Sequence, residues 1–120
     1  MTAVPESDLR FADLPGRRSA DPLVGLASDA SVRIVELERT PGRAAHRHPL
    51  TEEVVYVAAG TGTAWIDGTE HALSPGTTVL IPAGAPHATI PDEGSAMRLI
   101  CFFPHPDLSQ NIEDTDIVLT

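Results

Sequence analysis

Short apolar runs separated by turn residues repeat along most of the chain, and every run is interrupted by proline or glycine before a long helix becomes possible. Several runs alternate apolar and polar positions, which is the pattern of a half-buried strand. Asp67-Gly68 is a strong hairpin signal between two of them. The predicted strands are Leu23 to Ala27, Ser31 to Arg39, Val54 to Ala58, Thr63 to Ile66, Glu70 to Leu73, Thr77 to Ile81, His87 to Ile90 and Met97 to Phe103. This spacing predicts an all-β sandwich or barrel.

The chain length of 120 residues predicts one domain with its own core. Residues 1–20 show neither a helical nor an alternating period and are interpreted as an N-terminal arm. Residues 21–106 form the predicted β domain, and residues 107–120 form an acidic C-terminal tail.

The charge pattern excludes several classes of partner. The net charge is −9, and all eight basic residues are arginine, so a nucleic-acid partner is not expected. No apolar segment approaches the ~20 residues of a membrane helix. Cys101 is the only cysteine, which excludes an internal disulfide, and the first residues resemble no signal peptide. A cytoplasmic location is therefore expected.

Three histidines and one glutamate are the candidate chemistry. His46 and His48 are two residues apart, so on an extended strand both imidazoles project from one face. Glu53 begins a later apolar run, and His87 comes from a distant predicted strand. Three nitrogen ligands and one oxygen ligand suit one divalent ion of Zn, Fe, Ni or Mn better than Mg or Ca. The alternative is that the histidines are surface or structural residues.

The spacing around these residues resembles the two motifs of the cupin family. His46 and His48, four intervening residues, Glu53, six more and Gly60 resemble the first motif, G(X)5HXH(X)3,4E(X)6G, although only three residues separate Gly42 from His46. Gly76 to His87 resembles the second motif, G(X)5PXG(X)2H(X)3N, with Pro91 in place of the final Asn. The resemblance implies a jelly-roll cupin barrel, a metal inside its mouth and often a homodimer.

Neighbouring residues compete for some of these roles. The six-residue step to Gly60 selects Glu53 over Glu52 as both metal ligand and catalytic group, and alternation places Glu52 on the opposite face. His71 and His105 lie outside the motifs and are not expected at the site. Cys101 is interpreted first as a core residue and second as a residue of the cavity wall.

A cavity beside the metal would be lined by the inward positions of the strands. Alternation predicts that Val55, Val57 and Thr89 face inward and that Tyr56 faces outward. Trp65 or Phe103 is a candidate cap for the mouth. Arg33 and Arg98 lie within apolar strands and either anchor a substrate carboxylate or extend to solvent.

Three functions remain open. The first is a metal-dependent enzyme for a small-molecule substrate, either an oxygenase or a non-redox isomerase, lyase or cyclase. The alternatives are a non-catalytic ligand-binding domain and an accessory metal-binding domain that serves a partner enzyme. A homodimer is expected, because the two terminal segments carry apolar residues that a single core does not need: Leu9, Phe11, Leu14, Ile117 and Leu119.

Overall fold

The computed structural model describes residues 2–120, whose regular secondary structure is almost entirely β-strand. The strands are β1 (Ala12–Leu14), β2 (Arg17–Ala20), β3 (Ser31–Leu37), β4 (Ala44–Arg47), β5 (Glu53–Ala59), β6 (Gly62–Ile66), β7 (Thr69–Leu73), β8 (Thr78–Ile81), β9 (His87–Pro91), β10 (Met97–Phe103) and β11 (Glu113–Val118). Single 3₁₀ turns occur at Glu6–Asp8 and Leu108–Gln110. Within the described range, no helix has the length and apolar character needed to cross a bilayer.

The strands form two antiparallel sheets. One sheet has the order β1-β2-β3-β10-β5-β8, and the other has the order β11-β4-β9-β6-β7. Strands that are distant in sequence are neighbours in space, as in a double-sheet jelly roll. The prediction of an all-β jelly roll is therefore confirmed.

The core lies between the inner faces of the two sheets. Along β10, Met97, Leu99, Cys101 and Phe103 are buried, because successive residues of a strand point to opposite faces. The same alternation in β5 buries Val55 and Val57 and leaves Tyr56 exposed. Cys101 is thus a core residue, as predicted, and it also lines the inner cavity beside His46 and Glu53.

The turn between β5 and β6 depends on a glycine. Gly60 has a φ of +82°, and a Cβ added to it would lie 2.3 Å from the Ala96 carbonyl oxygen. The backbone of the neighbouring loop therefore approaches Gly60 so closely that no side chain fits there.

The strand predicted at Leu23 to Ala27 is wrong. The amide nitrogens of Leu26 and Ala27 both donate to the Leu23 carbonyl, which closes a turn, and Gly25 has a φ of +75°. Val24 and Leu26 project into solvent. The apolar composition of the segment does not reflect burial, because no neighbouring strand pairs with it.

Both terminal segments contribute strands that the sequence pattern did not predict. Strand β2 pairs with β3 and buries Ser19 and Ala20, and β1 extends the same sheet. Strand β11 pairs with β4, which carries His46. The C-terminal tail therefore forms the edge strand beside β4 in the sheet that carries the candidate site.

Candidate metal centre

Three elements bring the histidines together. His46 of β4 is the register partner of His87 of β9, and His48 follows immediately after β4. One ring nitrogen from each of the three histidines lies within 4.8 Å of the others. The two-residue spacing and the cross-strand pair thus produce one cluster of imidazoles, as the sequence predicts.

Glu53, the first residue of β5, contacts two of the three rings. Its Oε1 lies 3.3 Å from His48 Nε2 and 3.1 Å from His87 Nε2, and the carboxylate is buried. Glu53 is not a member of the compact three-histidine group. Its role as a fourth ligand therefore stays a prediction.

In His48 and His87, the ring nitrogen Nδ1 forms a hydrogen bond with a backbone carbonyl. His48 Nδ1 lies 2.6 Å from the Asn111 carbonyl oxygen, and His87 Nδ1 lies 2.9 Å from the Ala85 carbonyl oxygen. A carbonyl only accepts, so each Nδ1 carries the hydrogen and each Nε2 of a neutral ring presents a lone pair. Metal-binding histidines are commonly oriented in this way.

With Nδ1 protonated in both rings, hydrogen-bond acceptors of His48, His87 and Glu53 face one another and no donor lies between them. His48 Nε2, His87 Nε2 and Glu53 Oε1 are all buried and have no hydrogen-bond partner among the described residues. Buried polar atoms are normally satisfied, and converging lone pairs repel one another. A divalent cation would satisfy all three atoms at once, so the residues fit a metal centre.

The protonation states of the site also suit a metal. Burial lowers the pKa of His46 to about 3, with smaller contributions from His87 and His48, so its imidazole is neutral at pH 7. Burial alone would raise the pKa of Glu53, and its contacts with His48 and His87 lower that pKa to about 2 when the rings carry a hydrogen on Nε2, a proton that a bound cation replaces. A neutral imidazole and an ionised carboxylate are the ligand forms that bind divalent ions.

A residue of the C-terminal tail holds the loop that carries His48. Asn111 is completely buried, and in addition to its carbonyl contact with His48 its Oδ1 accepts from the Leu50 amide. Its Nδ2 donates to Thr51 Oγ1. No local pattern around Asn111 marks it as functional, because its partners are about sixty residues earlier in the chain.

Comparison with known proteins identifies the fold family. The profile of the cupin domain family Cupin_2 matches residues 33–103, which is more than half of the chain. This chain belongs to the Cupin_2 family. No curated protein sequence matches it.

Solved structures with the same fold include several bacterial proteins. KdgF from Halomonas sp. is 21% identical with a TM-score of 0.75, and the match covers 91% of this chain and 98% of KdgF. Streptomyces Pac13, a nucleoside dehydratase, is 12% identical with a TM-score of 0.80 over 99% of this chain and 94% of Pac13. The polyketide cyclase RemF from Streptomyces resistomycificus is 18% identical with a TM-score of 0.75 over 98% of this chain and 84% of RemF. These similarities establish the fold.

The cupin has an inner cavity of about 40 Å³ beside the candidate metal centre. His46, Glu53 and His87 line it, together with the predicted wall residues Val55 and Thr89. Val57 does not line this cavity and packs instead in the hydrophobic core. Because a cavity of about 10–15 Å³ already holds one water molecule, this cavity accommodates a ligand of only a few non-hydrogen atoms without side-chain movement.

The two arginines considered as substrate anchors have different positions. Arg33 lines the cavity, where its guanidinium forms a bidentate ion pair with Asp21. Arg98 does not line the cavity and forms an ion pair with Glu6 at the surface. Arg17 and Arg43 also line the cavity, although no sequence pattern predicts this position for them. Both lie near strand ends in segments whose pattern predicts no inward face.

The remaining side chains considered from sequence lie away from the cavity. Glu52 and His71 are exposed, and His105 Nδ1 accepts a hydrogen bond from the Asp107 amide. Trp65 does not line the cavity. The ring of Phe103 packs against His48 with a centroid distance of 4.6 Å, so Phe103 supports the metal centre from the core.

Proposed function

We propose that this cupin is a divalent-metal-dependent enzyme that acts on a small molecule bound beside its histidine cluster. The observation that carries this proposal is the set of buried acceptors, two Nε2 atoms and one carboxylate oxygen, that face one another without a donor. The ligands would be His46, His48, His87 and Glu53, and the ion would be Fe, Mn, Ni or Zn.

A bound divalent ion would supply Lewis-acid chemistry, polarising a substrate carbonyl or lowering the pKa of a bound water. The chain's own residues prepare the site for it. The Asn111 and Ala85 carbonyls orient the rings of His48 and His87. Glu53 supplies the one protein anion of the ligand set and would be its catalytic carboxylate. The apolar residues Val35, Leu37, Val55, Ile81 and Leu99 form part of the cavity wall and limit the contact of the site with bulk water.

The reaction class to test first is non-redox lyase, isomerase or cyclase chemistry. Two of the similar structures are a nucleoside dehydratase and a polyketide cyclase, which supports that class. Oxygenase chemistry is the second class to test, because the same ligand set accepts iron. The small cavity supports a different function, that of a ligand-binding or accessory cupin that serves a partner enzyme.

Metal analysis tests the site directly. The untagged protein, purified without chelator, is expected to contain one equivalent of divalent metal by mass spectrometry. His48→Ala and His87→Ala are expected to lose it, because each substitution removes one ligand nitrogen. His71→Ala is the matched control, since His71 is exposed and distant from the cluster in sequence. Full metal stoichiometry in His48→Ala would contradict the assignment.

Glu53→Gln separates a catalytic centre from a structural one. The amide has the shape of the carboxylate but no charge, so the fold is expected to persist while the metal binds more weakly and turnover falls. Candidate metabolites would be screened by mass spectrometry, with oxygen consumption followed in parallel. Unchanged turnover with the metal still bound would show that Glu53 is neither an essential ligand nor a catalytic group.

A further inference from the structure

Three of the chain's eight arginines line the inner cavity beside the candidate metal centre. Arg17 begins β2, Arg33 lies in β3, and Arg43 immediately precedes β4. These side chains come from three separate segments and converge on the same small space as His46 and Glu53. A cationic wall of this kind is unexpected inside a protein whose net charge is −9.

Two of these guanidinium groups have no carboxylate partner. Arg33 is neutralised by Asp21, with contacts of 2.7 and 2.9 Å. Arg17 has only a 3.4 Å contact from Nη1 to Ser19 Oγ, and Arg43 Nε is buried without a hydrogen-bond partner. Within residues 2–120, neither Arg17 nor Arg43 forms an ion pair.

Both unpaired groups are partly buried, and burial opposes their charge. Burial is the main factor that lowers the pKa of Arg17, followed by repulsion from Arg33. Burial likewise lowers the pKa of Arg43, followed by repulsion from Arg17. A charge that is withdrawn from water favours a partner of opposite sign.

The charges around the cavity do not balance. Three guanidinium groups face two carboxylates, those of Asp21 and Glu53, and a divalent ion at the histidine cluster would increase the positive excess. A neutral ligand leaves this excess uncompensated. An anionic ligand offsets it, and guanidinium groups bind carboxylates with paired, charge-assisted hydrogen bonds.

We propose that the substrate of this cupin carries a carboxylate, which Arg17 and Arg43 bind while an adjacent polar group of the same molecule faces the histidine cluster. This inference rests on the proposed function for its metal, and it adds the chemical class of the substrate. The volume of about 40 Å³ selects a small carboxylate or the carboxylate end of a larger molecule.

Arg17 also lies at the boundary between the cavity and the protein surface. Arg17 and Leu37 line both the inner cavity and a surface groove of about 270 Å³ that includes Asp13, Gly16 and Glu36. Arg17 therefore lies between solvent and the cavity. Movement of its flexible side chain would widen the cavity, and the arriving carboxylate would compensate the charge of Arg17.

Glycolate and glycolamide are the matched probes for this inference. They have nearly the same shape and share one hydroxyl group, but only glycolate carries a charge. Calorimetric titrations would use wild-type protein in metal-loaded and metal-free form, with metal content measured separately. Glycolate is expected to bind at least about tenfold more tightly than glycolamide, the ratio typical of hydrogen bonds to a charged group.

Arginine variants locate the anion site. Arg17→Gln and Arg43→Gln are each expected to weaken glycolate binding about tenfold or more and to leave glycolamide binding unchanged. Arg18→Gln is the control, because it removes the same charge from the next residue of β2, whose side chain pairs with Glu36 at the surface. Arg43→Lys retains the charge and is expected to recover part of the affinity if Arg43→Gln does not fold.

The outcomes separate this inference from the proposed function. If the protein binds metal but binds glycolate and glycolamide with equal affinity, or does not bind glycolate, the carboxylate site is overturned and the metal centre stands. Glycolate selectivity in a protein that binds no metal would support the carboxylate site and contradict the proposed enzyme. Equal effects of Arg17→Gln, Arg43→Gln and Arg18→Gln would also overturn the inference.

Discussion

Replacing Asn111, a residue of the C-terminal tail, with alanine is expected to destabilise the protein and weaken metal binding at the histidine cluster. The substitution removes the hydrogen bonds to the Leu50 amide and Thr51 hydroxyl while leaving the backbone carbonyl that contacts His48. Each buried hydrogen bond contributes about 1 kcal/mol, and the space left behind adds roughly 1 kcal/mol. The free energy of unfolding is therefore expected to fall by about 3 kcal/mol.

Thermal unfolding and metal titration measure the two consequences of Asn111→Ala. For a domain of this size 1 kcal/mol corresponds to about 4 °C in Tm, so the expected decrease is about 12 °C. Metal affinity is expected to fall about tenfold, because the loop that orients His48 becomes less constrained. Gln110→Ala is the control, since Gln110 precedes Asn111 at the end of the 3₁₀ turn and its side chain is exposed. A Tm within about 3 °C of wild type, with unchanged metal affinity, would refute the reasoning.

Three further predictions concern stability and assembly. Gly60→Ala is expected to lower the free energy of unfolding, measured by chemical denaturation, by more than about 2 kcal/mol, because the added Cβ would meet the Ala96 carbonyl. Gly84 has a similar φ but open surroundings, so Gly84→Ala should lower it by only about 1 kcal/mol. A divalent metal at a hundred times its Kd should stabilise the protein by about 2.7 kcal/mol, and excess chelator should reverse the gain in Tm; an unchanged Tm would argue against specific binding. We also predict a homodimer by light scattering, since the edge strand β1 exposes Leu14, and Leu14→Glu should shift it toward monomer; a monomeric wild type would contradict this.

Much of the fold and the histidine cluster follow from local sequence patterns. Alternation over residues 54–58 and 97–103 predicts which side chains face the core, because a strand has a period of two. The same period brings His46 and His48 to one side of the chain. The cupin spacing adds His87 from a distant strand, which composition and alternation alone do not connect to the pair.

Contacts between distant segments required the tertiary structure. The sequence of residues 12–20 has no strand pattern. β2 nevertheless forms a strand, because its backbone pairs with β3, a strand that lies later in the chain. Leu23 to Ala27 has the composition of a strand but finds no such neighbour. Asn111 acquires its role only when the tail reaches the loop after His48, and Arg17 and Arg43 form one cavity wall only when their separate segments meet. Local sequence determines the central strands β3 and β5 to β10 and the ligand types, whereas long-range pairing determines the remaining strands and the polar side chains that surround the site.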